Sequence, residues 1–484
     1  MMTIAKLFQS TLVMTLPLSL AACGGGSDQT TATSTGASTS TGAGTGGADA
    51  GGGGGAGGGQ VVGPCSPEAL KDTQGAKTYF VAVNEPGASN STCDGLAPTD
   101  QGNGHCPFKD LSSPSVVALL DGTKSTRLEL RAGTYLVNNW DGLRVNGAGT
   151  SEAERLVLTS YKGEKVVLDV PIPDGAGCVA PNMPGCVRQV VRVLGQYTAV
   201  QGLTIQNGLG YNLEVNGGAH HLVRCNILTE TADFPMRSDC LKLDGNTTDI
   251  DVLHNEFSHF RSQAIDMTNV SDVLVEGNDF HDPHDADAGA TGCKYGARDV
   301  IIRGNNIHDL GSSTKTSVFS LGGTGSPHPD DFEAYRIHVV SNRISNVQGK
   351  LAQYASCKDC TFEKNDASNV GAGVLLSASA TGLPECSADP AGCKAISGAV
   401  ITGNRMKNFH GGGNAATANI FIVVDMGEAN GLAAGDNIYC APAAGAHRFG
   451  WLGGFIAFTD WVKASGTDAS SKALVDGDPL CQGW

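Results

Sequence analysis

Three short stretches carry the side chains best suited to chemistry. SDCLKLDG (Ser238 to Gly245) holds Asp239, Lys242 and Asp244; QAIDMT (Gln263 to Thr268) holds Asp266; GCKYGARD (Gly292 to Asp299) holds Lys294. Grouped aspartates offer hard oxygen ligands to a cation such as calcium. A lysine whose charge is disfavoured by burial or by cationic neighbours can act as a base. If the three stretches are adjacent strands, Lys242, Asp266 and Lys294 point the same way. A Lys–Asp–Lys stack is also the form of a solvated salt-bridge ladder, and the residue types leave both readings open. A second cluster, FHDPHDADA, offers His281, Asp282, His284, Asp285 and Asp287. It invites a metal reading, but His-Asp recurs at His308-Asp309, so part of it belongs to a repeat and reads as turn chemistry.

Those stretches sit inside a phrase written many times. It reads DVLHNEFSH (Asp251 to His259), DVLVEGNDFHD (Asp272 to Asp282) and DVIIRGNNIHD (Asp299 to Asp309), with fainter copies on both sides. Its asparagines are Asn226, Asn255, Asn278, Asn305, Asn342, Asn365, Asn404 and Asn437. A phrase recurring at intervals of a few tens of residues, with variable inserts, marks a stacked solenoid. Apolar residues alternate with polar ones (Val300 and Ile302, Val273 and Val275), which is the period of a strand. Asparagine tolerates left-handed backbone conformations and turns the chain between strands. If every coil turns at the same place, the asparagines stack inward and bond the next coil's amides.

This grammar resembles that of right-handed parallel β-helix proteins of the pectate-lyase-like superfamily, whose coils carry an asparagine ladder. The resemblance runs from about Thr78 to the C-terminus. It implies an all-β fold: a right-handed parallel β-helix, a single-stranded solenoid with N-terminal and C-terminal caps. It further implies action on an acidic polysaccharide by calcium-assisted β-elimination. That reaction neutralises a uronate carboxylate, removes the adjacent proton and stabilises the leaving oxygen. On the resemblance, Lys294 or Lys242 is the base, and Asp239, Asp244 and Asp266 are the calcium ligands. The alternative is a non-catalytic glycan-binding or adhesion β-helix. The Gly-His-Gly and Arg-Ile-Lys of polygalacturonase-like enzymes are missing. Gly133-Thr-Tyr135-Leu-Val137 lacks the glutamate of pectin methylesterases, so that entry coil is fold grammar.

Lys6, the apolar run Leu7 to Leu20 and Leu20-Ala21-Ala22-Cys23 read as a targeting signal. The tetrapeptide resembles a bacterial lipobox, which implies lipidation of Cys23. A Gly/Ser/Thr/Ala tract that cannot bury a core follows. The expected organisation is a signal peptide over 1–22, a lipid-anchored tether over 23–60, an entry segment and cap over 61–127, coils over 128–440 and a C-terminal cap over 441–484. The expected location is extracytoplasmic, at an outer membrane or cell surface, with membrane contact through the lipid alone. Trp451, Phe455 and Trp461 are expected to cover the last coil. A net charge of −16 argues against nucleic acid. A monomer is expected. Of the 15 cysteines, Cys23 set aside leaves an even number, which suits disulfides in an oxidising compartment. Cys93 with Cys106, Cys178 with Cys186 and Cys386 with Cys393 bracket short loops, whose closure contributes roughly 3 kcal/mol each in the chain-entropy model. Cys357 and Cys360 read as a structural disulfide, because Cys360 opens a ladder strand instead of a helix.

Overall fold

The structure is a computed structural model. It describes residues 63–71, 77–171, 186–232, 238–311, 313, 316–323, 332–376, 396–411, 418–424 and 431–483. The chain divides into Met1–Gln60 and Val61–Trp484, and all that follows concerns the second unit. The signal, Cys23 and the tether lie outside the described residues.

Alternating apolar residues build strands that, among the described residues, pair in parallel, apart from the antiparallel pair Arg448–Trp451 with Gly454–Ile456 and an isolated antiparallel bridge at Ser151 and Glu154. Each coil has three faces. The first carries the repeated phrase: Ala219–Arg224, Thr248–Leu253, Ser271–Glu276, Ala297–Arg303 and Ala334–Val340 stack in register. A short strand follows the asparagine, as in Ile227–Thr229, Glu256–Ser258, Asp279–His281 and Asn306–His308. The third face contains Tyr211–Asn216, Asp239–Asp244, Gln263–Thr268, Gly289–Lys294 and Ser317–Leu321. Period-2 alternation sends Val252, Val275, Ile302 and Val339 into a fully buried core. Phe257 and Phe280 stack there, ring centroids 4.9 Å apart.

The asparagines form the expected inward ladder. Asn255 Oδ1 accepts from both the backbone N–H and the amide of Asn226 at 3.0 Å, and Asn278 Oδ1 does the same for Asn255 at 2.8 and 3.0 Å. The pattern continues through Asn305, Asn342, Asn365, Asn404 and Asn437. Each amide also donates to a carbonyl of the preceding coil, as Asn278 does to Val252 at 2.9 Å. Buried turn amides are thereby satisfied at every corner.

Both ends are closed more tightly than the sequence suggests. Lys77–Val81 already pairs in parallel with Thr126–Leu130, inside the segment expected to be entry and cap. Within that segment a short helix spans Pro114–Leu120 and buries Val116 and Leu120. The phenol oxygen of Tyr135 lies 2.8 and 2.9 Å from the carbonyl oxygens of Val81 and Arg131, which share its one proton, and this ties the first coil together. At the other end Lys472–Val475 extends the stack from Ile438–Ala441. Trp461 is buried and donates to Asp468 at 2.8 Å. Asp468 also receives the phenol of Tyr439, at 2.8 Å, where the ladder ends. Phe455 departs from expectation: it lies on the antiparallel turn and is 55% exposed, so it does not cover the coil.

The Cys93–Cys106 and Cys357–Cys360 bridges are present, joined by Cys65–Cys225 and Cys440–Cys481. Cys65 fastens the residues just before the first strand to a ladder corner, a link no spacing announces. Cys240 and Cys293 are free thiols in the core, so the even count does not mean complete pairing. The pairs Cys178 with Cys186 and Cys386 with Cys393 involve residues outside the described set. Among the described residues no helix is long and apolar enough to cross a membrane.

Candidate functional site

The third face aligns outward side chains from successive coils. Arg144, Arg192, Glu214, Lys242, Asp266, Gly292, Ser320 and Gln353 occupy one register position on neighbouring strands. Lys242 and Asp266 are therefore directly opposed, at the short separation that makes cross-strand pairs interact. Lys242 Nζ donates to Asp266 Oδ2 at 2.6 Å and to the Thr268 hydroxyl at 2.5 Å. Lys294 lies two positions further along the next strand, opposite Thr268. It reaches back so that its Nζ is 2.9 Å from Asp266 Oδ1. Asp266 is thus clasped by two ammonium groups. Lys242 and Asp266 are nearly buried, whereas the Lys294 side chain keeps 32% exposure.

Gly292 lies beside the clasp. A Cβ there would sit in ordinary contact with Asp266 Oδ1 at 3.4 Å and the Gln263 side chain at 3.5 Å, so the missing side chain leaves only a shallow recess at a buried position. Gln263 Oε1, also on this wall, is buried without a hydrogen-bond partner. Asp239 stands next to the clasp, its Oδ1 accepting the Gln263 N–H at 2.8 Å. Burial first, and then the charge of Asp266, push the Asp239 carboxyl up to about 7. A carboxyl in that position exchanges its proton near neutral pH, which suits acid–base work.

The expected roles are redistributed by this geometry. Burial opposes the Lys242 charge, but the charge and hydrogen bond of Asp266, with Asp244, outweigh it and raise the ammonium above its usual range. A lysine held protonated is a clamp and not a base. Asp244 sits at the end of its strand, half-buried, its Oδ1 accepting the Gly245 N–H at 2.7 Å. Among the described residues, Asp239, Asp244 and Asp266 do not form a group whose ligand atoms lie within 4.8 Å of one another. Two lysines already neutralise Asp266. These three carboxylates do not fit a calcium ion held in common.

Arg192 and Glu214 are functional candidates that sequence reasoning missed. Arg192 Nε lies 2.8 Å from Glu214 Oε2, and Asn216 donates to Glu214 Oε1 at 3.2 Å. Asp141 contacts both Arg144 and Arg192, at 3.6 and 3.8 Å. The charged floor thus continues from the clasp towards the first coils. Only counting register strand by strand could have revealed it. The FHDPHDADA residues do not gather at one point: His284 packs on His259 beside Glu230, Asp285 pairs with Arg261, and His281 lies on the short-strand face. His281 stacks on His308 at 5.2 Å, each against the aspartate that follows it, as repeat-derived turn chemistry requires.

With fold and site described, the likenesses to known proteins can be placed. Residues 189–384 match the family model described as "Right handed beta helix region". The fold of the chain is a right-handed parallel β-helix. No curated protein sequence shows significant similarity to it. Its structure is similar to the Dettilon tailspike protein at 13% identity and a TM-score of 0.47, with 74% of this chain and 66% of the tailspike chain covered. It is similar to PfbA, a surface adhesin of Streptococcus pneumoniae, at 10% identity and a TM-score of 0.45, covering 74% of this chain and 87% of that one. It is also similar to an alginate lyase from Paenibacillus sp. at 12% identity and a TM-score of 0.40, covering 66% and 94%. At these identities and scores the likenesses carry no argument about what this chain does.

Proposed function

We propose that this protein acts on an acidic polysaccharide laid along the third face, and that it does so by β-elimination. The observation that carries the reading is the Lys242–Asp266–Lys294 clasp with Asp239 beside it. Lys242 and Lys294 bring two cations to this face in a chain whose net charge is −16. The partly exposed Lys294 ammonium is placed to neutralise a uronate carboxylate at the Gly292 recess. Asp239, ionised in part at neutral pH, accepts the proton on the carbon next to that carboxylate. The C–H electron pair then forms the carbon–carbon double bond, the glycosidic C–O bond breaks, and the leaving oxygen takes a proton from water. No step is routed through calcium.

The test is a panel of pectate, alginate and glycosaminoglycan chains, followed by the ultraviolet absorbance of unsaturated product. Activity should survive chelator, fall at least about 100-fold in Asp239→Asn, which is in the range of a lost general base, and fall in Lys294→Met with the fold unchanged. If no chain yields product, the elimination reading fails.

A second reading, a non-catalytic glycan-binding surface, has its own support. Cross-coil ion pairs recur away from this recess, as in Arg303 with Glu276 at 2.9 Å and Arg336 with Asp299 at 2.6 Å. Stacked charge is therefore also a structural habit of this chain. Retention of intact polysaccharide by wild type but not by Lys294→Met, without product, would favour it. In either case we propose that Cys23 carries a lipid and holds the β-helix at a membrane surface.

A further inference from the structure

We propose that Glu152, His220 and Asp249 bind one divalent transition-metal ion, of the Zn2+ type, which staples three coils of the stack together at the corner leading into the ladder face. His220 Nδ1 lies 3.6 Å from Glu152 Oε1 and touches Asp249 Oδ2. The three ligand atoms lie within 4.8 Å of one another, and no other group of three His, Cys, Asp or Glu among the described residues does so. The site is apart from the Asp239–Lys294 cluster and does not depend on its function.

Backbone geometry explains the convergence. Ala219 pairs with Thr248, so His220 and Asp249 hold equivalent corner positions one coil apart. Both are left-handed, with φ of 62° and 54°. Tyr197, left-handed at the preceding corner, lies flat on the imidazole with centroids 4.3 Å apart and planes 5° apart. That stacking fixes the ring plane and aims Nδ1 between the carboxylates. Nδ1 is buried yet has no hydrogen bond of acceptable geometry. The corner carries the carboxylates of Glu152, Asp249 and Asp251 against the guanidinium groups of Arg155 and Arg224. One Arg155 nitrogen is committed to the His220 carbonyl. An excess of negative charge around an imidazole nitrogen is a site a dication would neutralise. One imidazole with two carboxylates, and water in the remaining position, suits Zn2+. Calcium would ask for six or more oxygens.

The experiment is calorimetric titration of the folded full chain with Zn2+, with Ca2+ and Mg2+ as comparisons, and Co2+ absorption as a spectroscopic readout. We expect one Zn2+ per chain, a rise in melting temperature on loading, and visible Co2+ bands of a four-coordinate site. His220→Ala should abolish all three, and Asp249→Asn should weaken binding at least about tenfold, as loss of a ligand or its partner does. A His259→Ala/His284→Ala variant controls for a histidine pair elsewhere, whose rings lie 5.1 Å apart beside Glu230. It should bind as wild type does. Absence of stoichiometric Zn2+ binding, or binding unchanged in folded His220→Ala, overturns the proposal. Loss of binding in the control variant alone overturns it equally.

Discussion

Lys242 and Asp266, from two successive coils, occupy the same register position and form a 2.6 Å ion pair, with both side chains less than one-tenth exposed. Each ion left its hydration behind, so each depends on the other and on the remaining partners, Thr268 and Lys294. Removing one member of such a pair is far more damaging than removing a surface charge. Asp266→Ala should therefore cost about 3–5 kcal/mol, because it strands a buried ammonium. Lys294→Met, at the exposed end of the clasp, should cost no more than about 1 kcal/mol. Urea melts of the two variants check this ordering; equal costs would mean that Asp266 is not the centre of the cluster.

Asp239 makes stability depend on pH in a particular direction. Its folded pKa of about 7 lies above the ordinary 3.8, so between those values the folded state binds more protons than the unfolded one. Stability from this group is complete below pH 4 and declines as pH rises through 7. Asp239→Asn can still accept the Gln263 N–H but cannot ionise. The variant should match wild type near pH 4 and exceed it above pH 7 by on the order of 2–4 kcal/mol. Parallel stability profiles of the two proteins across that window would refute the assignment.

Asn278 accepts from the backbone and amide of Asn255 and donates to Val252. Asn278→Leu leaves those buried groups unpaired, at about 1–3 kcal/mol for each group stranded. Neighbouring Glu276 faces outward to a half-exposed Arg303, and Glu276→Gln should change stability by less than about 1 kcal/mol. Thermal melts that place the two variants together would count against the ladder as a source of stability.

The anchor proposal is tested in cells. Cys23→Ser should move the protein from the membrane fraction to the soluble one, with the β-helix still resistant to protease. A variant that stays with lipid in high salt would remove the lipoprotein reading.

The ladder was legible in the sequence because each coil repeats one demand. A tight inward corner needs a residue that turns sharply and bonds the next coil's amides, and Asn226 through Asn437 answer it with the same residue. Strand period and β-branched pairs then sufficed for an all-β parallel solenoid. The candidate patch was legible as a set of residues, since Lys242, Asp266 and Lys294 do converge, but their roles were not. The turns between the short strand and the third face differ in length, so Lys242 and Asp266 fall at different distances past Asn226 and Asn255, and Arg192 and Glu214, at the same register position, precede the first ladder asparagine. Tertiary stacking alone decides which charges meet. It surrounded Asp266 with lysines, kept Asp244 away from a common cation, and buried Asp239 until its proton is held near neutrality. It also brought Glu152, His220 and Asp249 to one corner from three coils, and Cys65 to Cys225 across 160 residues. Local pattern determines how each coil turns, whereas the free energy of a charge depends on neighbours that only the stacked coils supply.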